Sequence, residues 1–536
     1  MRLLFTLIPL LAATAADDEV GNEACAACHT EIYRKYSASS MANSSGKAGA
    51  GEFRESFERA LVRDAAGSSY AVSATSGEYR LKFSRDESGV EGLRLLGWFV
   101  GSGRVARSYV SSLDGFLYQA PVSYYSLTGT WALSPGYQQH DSIHLTRAVG
   151  KGCLQCHASR LQPVAGTANR FGSPPFLQPG VGCERCHGPG RDHLERMKRG
   201  KGPIGVVNPA KLDALRRDSV CAQCHLTGAA RISRAHTQAE LYRPGGRLSD
   251  YASYFVWRSP ASPVTGANSH FEKLRLAACK LASGDRMWCG SCHDPHGEPS
   301  PAQRAAFYRA RCEKCHSAHP CTGEADARAR AQNDCISCHM PKNPVRDTEH
   351  AVFTDHTIPR RSSPRPAGPD ADRTLEPFWK GAGDRDLGLA YAMVAGEDPA
   401  LRRRAFDLLR RAEAADPDDA AVLTQLAQLY DRSGAEPEAI ALSQRVLRLD
   451  PAEISVAVNL GTWYVRQGRA REAMRLWADA LSRNPALTGV SMNLAVAQFQ
   501  THDPAAAEAT LRKALEYDPD HEKARALLAE IRSQAR

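Results

Sequence analysis

The sequence predicts a multidomain protein with three architectures: a sparsely helical region organised around covalently held cofactors, a β-rich insertion near its start, and an all-α superhelix at its end. Three observations carry this expectation. Cys-x-x-Cys-His occurs seven times, residues 51–148 lack cysteine and alternate apolar with polar side chains, and an Asp-Pro or Asn-Pro step recurs every 34 residues near the end.

The seven motifs are Cys25-Cys28-His29, Cys153-Cys156-His157, Cys183-Cys186-His187, Cys221-Cys224-His225, Cys289-Cys292-His293, Cys312-Cys315-His316 and Cys335-Cys338-His339. This is the attachment signature of c-type haem. The two thiols form thioethers to the porphyrin, and the adjoining histidine is placed as the proximal iron ligand. Paired Cys-x-x-Cys also builds zinc sites, but zinc needs no histidine at the next position and all seven pairs have one. Fourteen of the sixteen cysteines are used this way. The expectation is a haem-dominated multihaem cytochrome c carrying seven covalent haem c groups.

The chain opens with Met1-Arg2, the apolar run Leu3 to Ala13, small residues at Thr14 to Ala16, and the acidic Asp17-Asp18-Glu19. Residues 1–16 therefore read as a secretory signal peptide, with a retained anchor as the alternative. No later stretch reaches the roughly 18 apolar residues of a membrane helix. The expected location is the periplasm, with outer-membrane or extracellular association left open. A formal charge of +9 does not argue for nucleic acid here, because haem propionates would take up many of the arginines.

Residues 17–50 form the first haem segment. In the insertion at 51–148, Tyr79, Leu81 and Phe83 alternate with Arg80, Lys82 and Ser84, as a half-buried strand does. Turn signals stand at Ser76-Gly77, Ser88-Gly89, Asp114-Gly115 and Pro135-Gly136. Such an insertion either covers the first haem or is a plain structural module. Residues 149–357 hold the other six motifs, the last three starting 23 residues apart, on short helices and loops. Cys279 and Cys321 are left over, as a disulfide or as two separate thiols.

A linker at 358–380, rich in proline and arginine to 372, precedes the repeats at 381–536. Asp416-Pro417, Asp450-Pro451, Asn484-Pro485 and Asp518-Pro519 mark a period of 34, the tetratricopeptide spacing. The best repeat has Leu460-Gly461, Tyr464, Ala473, Trp477, Ala480 and Pro485. Helix pairs of this kind stack into a superhelix, and Asp520 to Arg536 reads as its capping helix.

The second axial position decides whether an iron only carries electrons or also does chemistry. Eighteen histidines less the seven in the motifs leave eleven, of which His502 and His521 lie in the repeats. The nine candidates are His140, His144, His193, His236, His270, His296, His319, His350 and His356. His193 and His296 stand just past proximal histidines, where tight turns would aim them at a neighbouring iron. His140 and His144 are four apart and would share a helix face. Met41 is the candidate for the first haem, where a thioether would raise the potential. Its alternatives are packing on the porphyrin or displacement by a distant histidine.

Cys183 to Gly190, Cys289 to His296 and Cys335 to Pro341 resemble the cytochrome c-552/c-554-type and doubled-motif multihaem proteins. Joined to the repeats, the chain resembles bacterial multihaem cytochromes fused to tetratricopeptide domains. The resemblance implies periplasmic electron transfer with haem c, and it fixes no substrate. The leading expectation is an electron carrier whose repeats dock a redox partner protein. The alternative is a reductase of a small nitrogen or sulfur oxyanion at a five-coordinate haem. No Cys-x-x-Cys-Lys motif is present.

Overall fold

The computed structural model describes residues 18–534 except 52, 59, 139, 203, 259–269, 319–320, 346–347 and 361–372. The expected signal peptide, His319 and most of the proline-rich linker lie outside the described residues.

Two short helices open the chain, α1 (Asn22–Ala26) and α2 (Thr30–Ser37). An antiparallel sheet follows, with β1 (Ser45–Lys47), β2 (Leu61–Arg63), β3 (Ser68–Thr75), β4 (Glu78–Arg85), β5 (Val90–Val100), β6 (Ala106–Leu113), β7 (Phe116–Tyr125) and β8 (Thr130–Leu133). Strands β2 to β8 pair in chain order, and β1 returns to β5. The alternation seen in the sequence is the packing: Tyr79, Leu81 and Phe83 are buried while their neighbours on β4 face outward. Ser76-Gly77 and Asp114-Gly115 make the β3–β4 and β6–β7 turns with positive φ at both residues, the twist-matched geometry of a two-residue hairpin. The sheet closes over an aromatic core of Tyr79, Tyr109, Tyr124 and Trp131. Within it the Arg107 guanidinium bonds Glu55 at 2.9 Å, and Tyr109 donates to the same carboxylate.

The motif-bearing region has α3 (Lys151–His157), β9 (Ser159–Pro163), β10 (Phe171–Gln178), α4 (Glu184–His187), α5 (Arg191–Lys198), α6 (Ala214–His225), β11 (Ala230–Ser233) and β12 (Ala252–Trp257). It continues with α7 (His270–Leu274), α8 (Ala278–Ser283), α9 (Cys289–Cys292), α10 (Arg304–His316), α11 (Ala325–Arg330), α12 (Cys335–His339), β13 (Lys342–Val345) and β14 (Thr348–Thr354). A last strand, β15 (Leu375–Pro377), falls inside the expected linker and pairs with β12. Three residues are too few for a period to show. Leu375 is nonetheless buried, and its N–H donates to the Tyr391 hydroxyl at 3.0 Å.

The repeats are α13 (Asp384–Val394) with α14 (Pro399–Ala415), α15 (Ala420–Arg432) with α16 (Glu436–Leu449), α17 (Ile454–Arg466) with α18 (Ala470–Arg483), and α19 (Thr488–Gln500) with α20 (Pro504–Tyr517). The final helix is α21 (Glu522–Gln534). Asp398 and Asp419 cap α14 and α15 by accepting backbone N–H groups of the first turn. The array is not a tethered appendage. Ala230, Ile232, Phe255 and Leu375 share one core with α13 and α14, where the buried Asp386 accepts from Arg234 at 2.9 Å and from Ser253 at 2.6 Å. Farther along, Ala168 N donates to Arg483 O at 3.1 Å. At the far end the Tyr517 hydroxyl donates to Asp114 at 2.6 Å, and Asp520 accepts from Ile143 N at 3.0 Å.

The insertion meets both of the first two haem segments: β1 pairs with β5 and Arg104 lines a pocket with Glu31, Arg34 and Lys35 of α2, while Val110 and Leu117 pack on Val149, Leu154 and Phe171.

Candidate haem-binding region

Most motifs occupy one helical turn. The i and i+3 cysteines share a side of that turn, with the histidine directly below them. Thus His157, His187, His225, His316 and His339 are the last residues of α3, α4, α6, α10 and α12. His293 follows α9 immediately, and His29 precedes α2.

Two proximal histidines meet candidate partners across a defined gap. The rings of His187 and His296 stand 6.0 Å apart, with planes 4° from parallel. Those of His293 and His356 stand 6.4 Å apart at 28°. Two imidazoles on opposite sides of one metal, each at about 2.0 Å, bring their ring centres roughly 6 Å apart. Backbone carbonyls orient three of the rings through Nδ1: Val207 for His187 at 2.7 Å, Thr354 for His356 at 2.8 Å, and Pro359 for His339 at 2.9 Å. That contact leaves Nε2 for a metal. His270 lies edge-on to His225 at 5.0 Å and to His356 at 4.8 Å, so the four rings of His225, His270, His293 and His356 cluster. Burial pushes down the basicity of His157, His293, His296 and His356, and takes His225 to about 4. Each is therefore held in the neutral form that binds metal.

The remaining candidates are placed differently. His140 and His144 stack face to face at 4.0 Å, beside Tyr137 and in coil rather than on a helix. That spacing is too short for an iron between them. Helix is excluded because Ile143 N is drawn away to Asp520. His236 is exposed and faces Asp416 of the repeats at 3.4 Å. His193 is on α5, with Nδ1 buried and unpaired. His350 is on β14. Met41 is half-buried, its carbonyl accepting from Val181 N at 2.9 Å. Cys279 and Cys321 are unbridged, the first half-buried and the second exposed.

The surroundings suit haem. Buried polar atoms without a protein partner gather near the motifs, among them Arg160 Nε, Arg185 Nε, Arg275 Nε, Tyr242 Oη and His157 Nδ1. Orphan cationic donors in an interior are costly, and propionate carboxylates are the groups that would satisfy them. Arg185, Arg231 and Tyr242 line a small polar cavity with Gln155 and Gln223, where the second, third and fourth motifs meet. Arg185, Gln155 and Gln223 carried a sequence signal, since each lies inside a motif, whereas Arg231 and Tyr242 did not.

Residues 131–188 match the family model of cytochrome c554 and c-prime, and residues 464–531 match a tetratricopeptide repeat model. The two matches place a cytochrome c554-type segment and tetratricopeptide repeats in one chain, which supports its reading as a multihaem cytochrome fused to such repeats. It is similar to the C-type polyheme cytochrome OmcB of Geobacter sulfurreducens, in both strain DL-1/KN400 and strain PCA, at 38% identity over 171 residues. That match covers 27% of this chain and 20% of the relative, so the chain spans one fifth of the length of the curated relatives it matches. Among solved structures, MamA of AMB-1 is 28% identical over 28% of this chain and 80% of its own, with a TM-score of 0.26. MamA of MSR-1 is 27% identical over 28% of this chain and 84% of its own, with a TM-score of 0.25. Among the described residues no helix is long and apolar enough to cross a membrane.

Proposed function

We propose that the chain is a periplasmic heptahaem c-type cytochrome that transfers electrons along its haems, with the repeats docking a redox partner protein. The observation that carries this reading is the pair of facing imidazoles, His187 with His296 and His293 with His356, at the separation a six-coordinate iron requires. Each haem, when bound, supplies a one-electron iron couple. The chain's own residues do the rest. The cysteines would fix each porphyrin, the histidines would ligate the irons, and Arg185, whose Nε is buried without a partner, would hold propionate charge, while Arg231 is already paired with Glu240. Closed axial positions favour carrying over catalysis, because a reductase needs a free site on iron.

The test is low-temperature EPR of the oxidised holoprotein, with mass spectrometry to count haems. Seven haems and only low-spin signals are the expected result. A stoichiometric high-spin signal that shifts with nitrite or sulfite would replace the carrier with the oxyanion reductase.

A further inference from the structure

The motifs neighbour one another in space beyond the order they follow along the chain, although the second and third also touch, Arg185 Nη2 donating to the Gln155 carbonyl at 2.9 Å. The fourth, at the end of α6, touches three others. Gln223 within it donates through Nε2 to the Arg185 carbonyl of the third motif at 2.9 Å. Its own carbonyl accepts from Cys156 Sγ of the second motif at 3.9 Å. Cys221 packs with Cys289 of the fifth motif against one aromatic cluster that includes Tyr254 and Phe271.

The first motif, by contrast, meets the third. Cys183 N donates to Asn22 Oδ1 at 2.9 Å, and the N–H groups of Val20 and Gly21 both donate to Glu184. The fifth, sixth and seventh motifs continue in line, with α9 against α10 and α10 against α12. We propose that the seven attachment points form a three-armed array with α6 at its junction. The first and third motifs make one arm, the second is a side branch that touches both the third and the fourth, and the fifth, sixth and seventh make the last.

This rests on the haem reading above and goes beyond it by ordering the carriers. Each transfer moves one electron, oxidising one iron and reducing its neighbour, with no bond made or broken. The second haem is then a side station against the β-insertion, and traffic between the first and the last motif bypasses it.

The exposed, unbridged Cys321, between the sixth and seventh motifs, gives a place to inject an electron. A ruthenium polypyridyl photoreductant attached there in a Cys279→Ser background, with a sacrificial amine as donor, reduces the last arm. Freeze-quench EPR then follows each low-spin signal. In a Cys153→Ala, Cys156→Ala variant carrying six haems by mass, the first haem should still be reduced as in the parent. In a Cys221→Ala, Cys224→Ala variant, prompt reduction of the second haem should be lost. Loss of first-haem reduction in the former, or unchanged second-haem reduction in the latter, would overturn the branched order.

Should either variant fail to load, a crystal structure of the parent holoprotein decides the matter. The haem at His225 should have those of His157, His187 and His293 as neighbours, and a single file in chain order overturns the proposal. A chain that binds no haem, or whose haems take no electron from the label, would instead remove the underlying electron-transfer reading.

Discussion

Two rings held 6.0 Å apart and nearly parallel, as His187 and His296 are, tolerate no shortening of either side chain. Replacing His296 with Ala should convert one iron, that of the third motif, from low to high spin and leave the other EPR signals in place. An unchanged spectrum would assign the second ligand to another residue. His144 makes a different prediction. Burial first, then the adjoining His140 and Arg147, pushes its basicity down to about 4. The folded chain thus binds fewer protons than the unfolded chain between that value and about 6.5, the free imidazole value. The stability held there is complete above about 6.5 and is lost as pH falls toward 4. Thermal unfolding of the haem-loaded protein from neutral to mildly acidic pH should show that loss, because iron-bound imidazoles do not titrate in the same window. A His144→Gln variant should flatten the curve, and an identical curve would show His144 to be otherwise engaged. The proximal ligands were legible in the sequence because attachment chemistry fixes them within five residues. His296 and His356 could be named as candidates, but which ring each would face could not, since they approach His187 and His293 only through the fold.

At the scale of elements, local chemistry was the better guide. The β4 alternation and the Ser76-Gly77 and Asp114-Gly115 turns are set by neighbours in sequence, and they appear as read. The repeats were legible for the same reason, since each is defined by contacts within one helix pair. Gly461 shows how tight that packing is. A Cβ there would lie 2.4 Å from Trp477 Nε1, and the indole is held by its hydrogen bond to Val458 O at 3.1 Å. Gly461→Ala should therefore cost about 1–3 kcal/mol by overpacking, read as faster hydrogen exchange in α17 and α18. Unchanged exchange would mean that the indole moves aside freely. Strand β15 and the coil around His140 were the elements misjudged. One is too short to show a period, and the other is held open by a contact to a distant residue.

Across the whole molecule, the repeats are fastened at both ends, to the β11–β12–β15 sheet and to the β-insertion. Asp520 is the centre of the far fastening. It is buried, 3.4 Å from Arg85 and 3.0 Å from Ile143 N. Asp520→Ala leaves Arg85 with Glu87 alone and removes the acceptor of Ile143 N, and losing a hydrogen bond to a charged group costs about 1.5–3 kcal/mol. Limited proteolysis and hydrogen exchange should find α20, α21 and the β4–β5 turn loosened, with the haem spectra unchanged. Intact protection would show that the Asp114, Lys513 and Tyr517 contacts suffice. The cysteine motifs, the strand alternation and the 34-residue period were determined by the sequence alone, because each is a relation among residues a few positions apart. Only the tertiary structure decided which imidazoles face one another, which motifs are neighbours, and that the repeats clasp the body of the protein. Those relations join residues tens to hundreds of positions apart, and no local pattern encodes a distance that the packing of the whole chain creates.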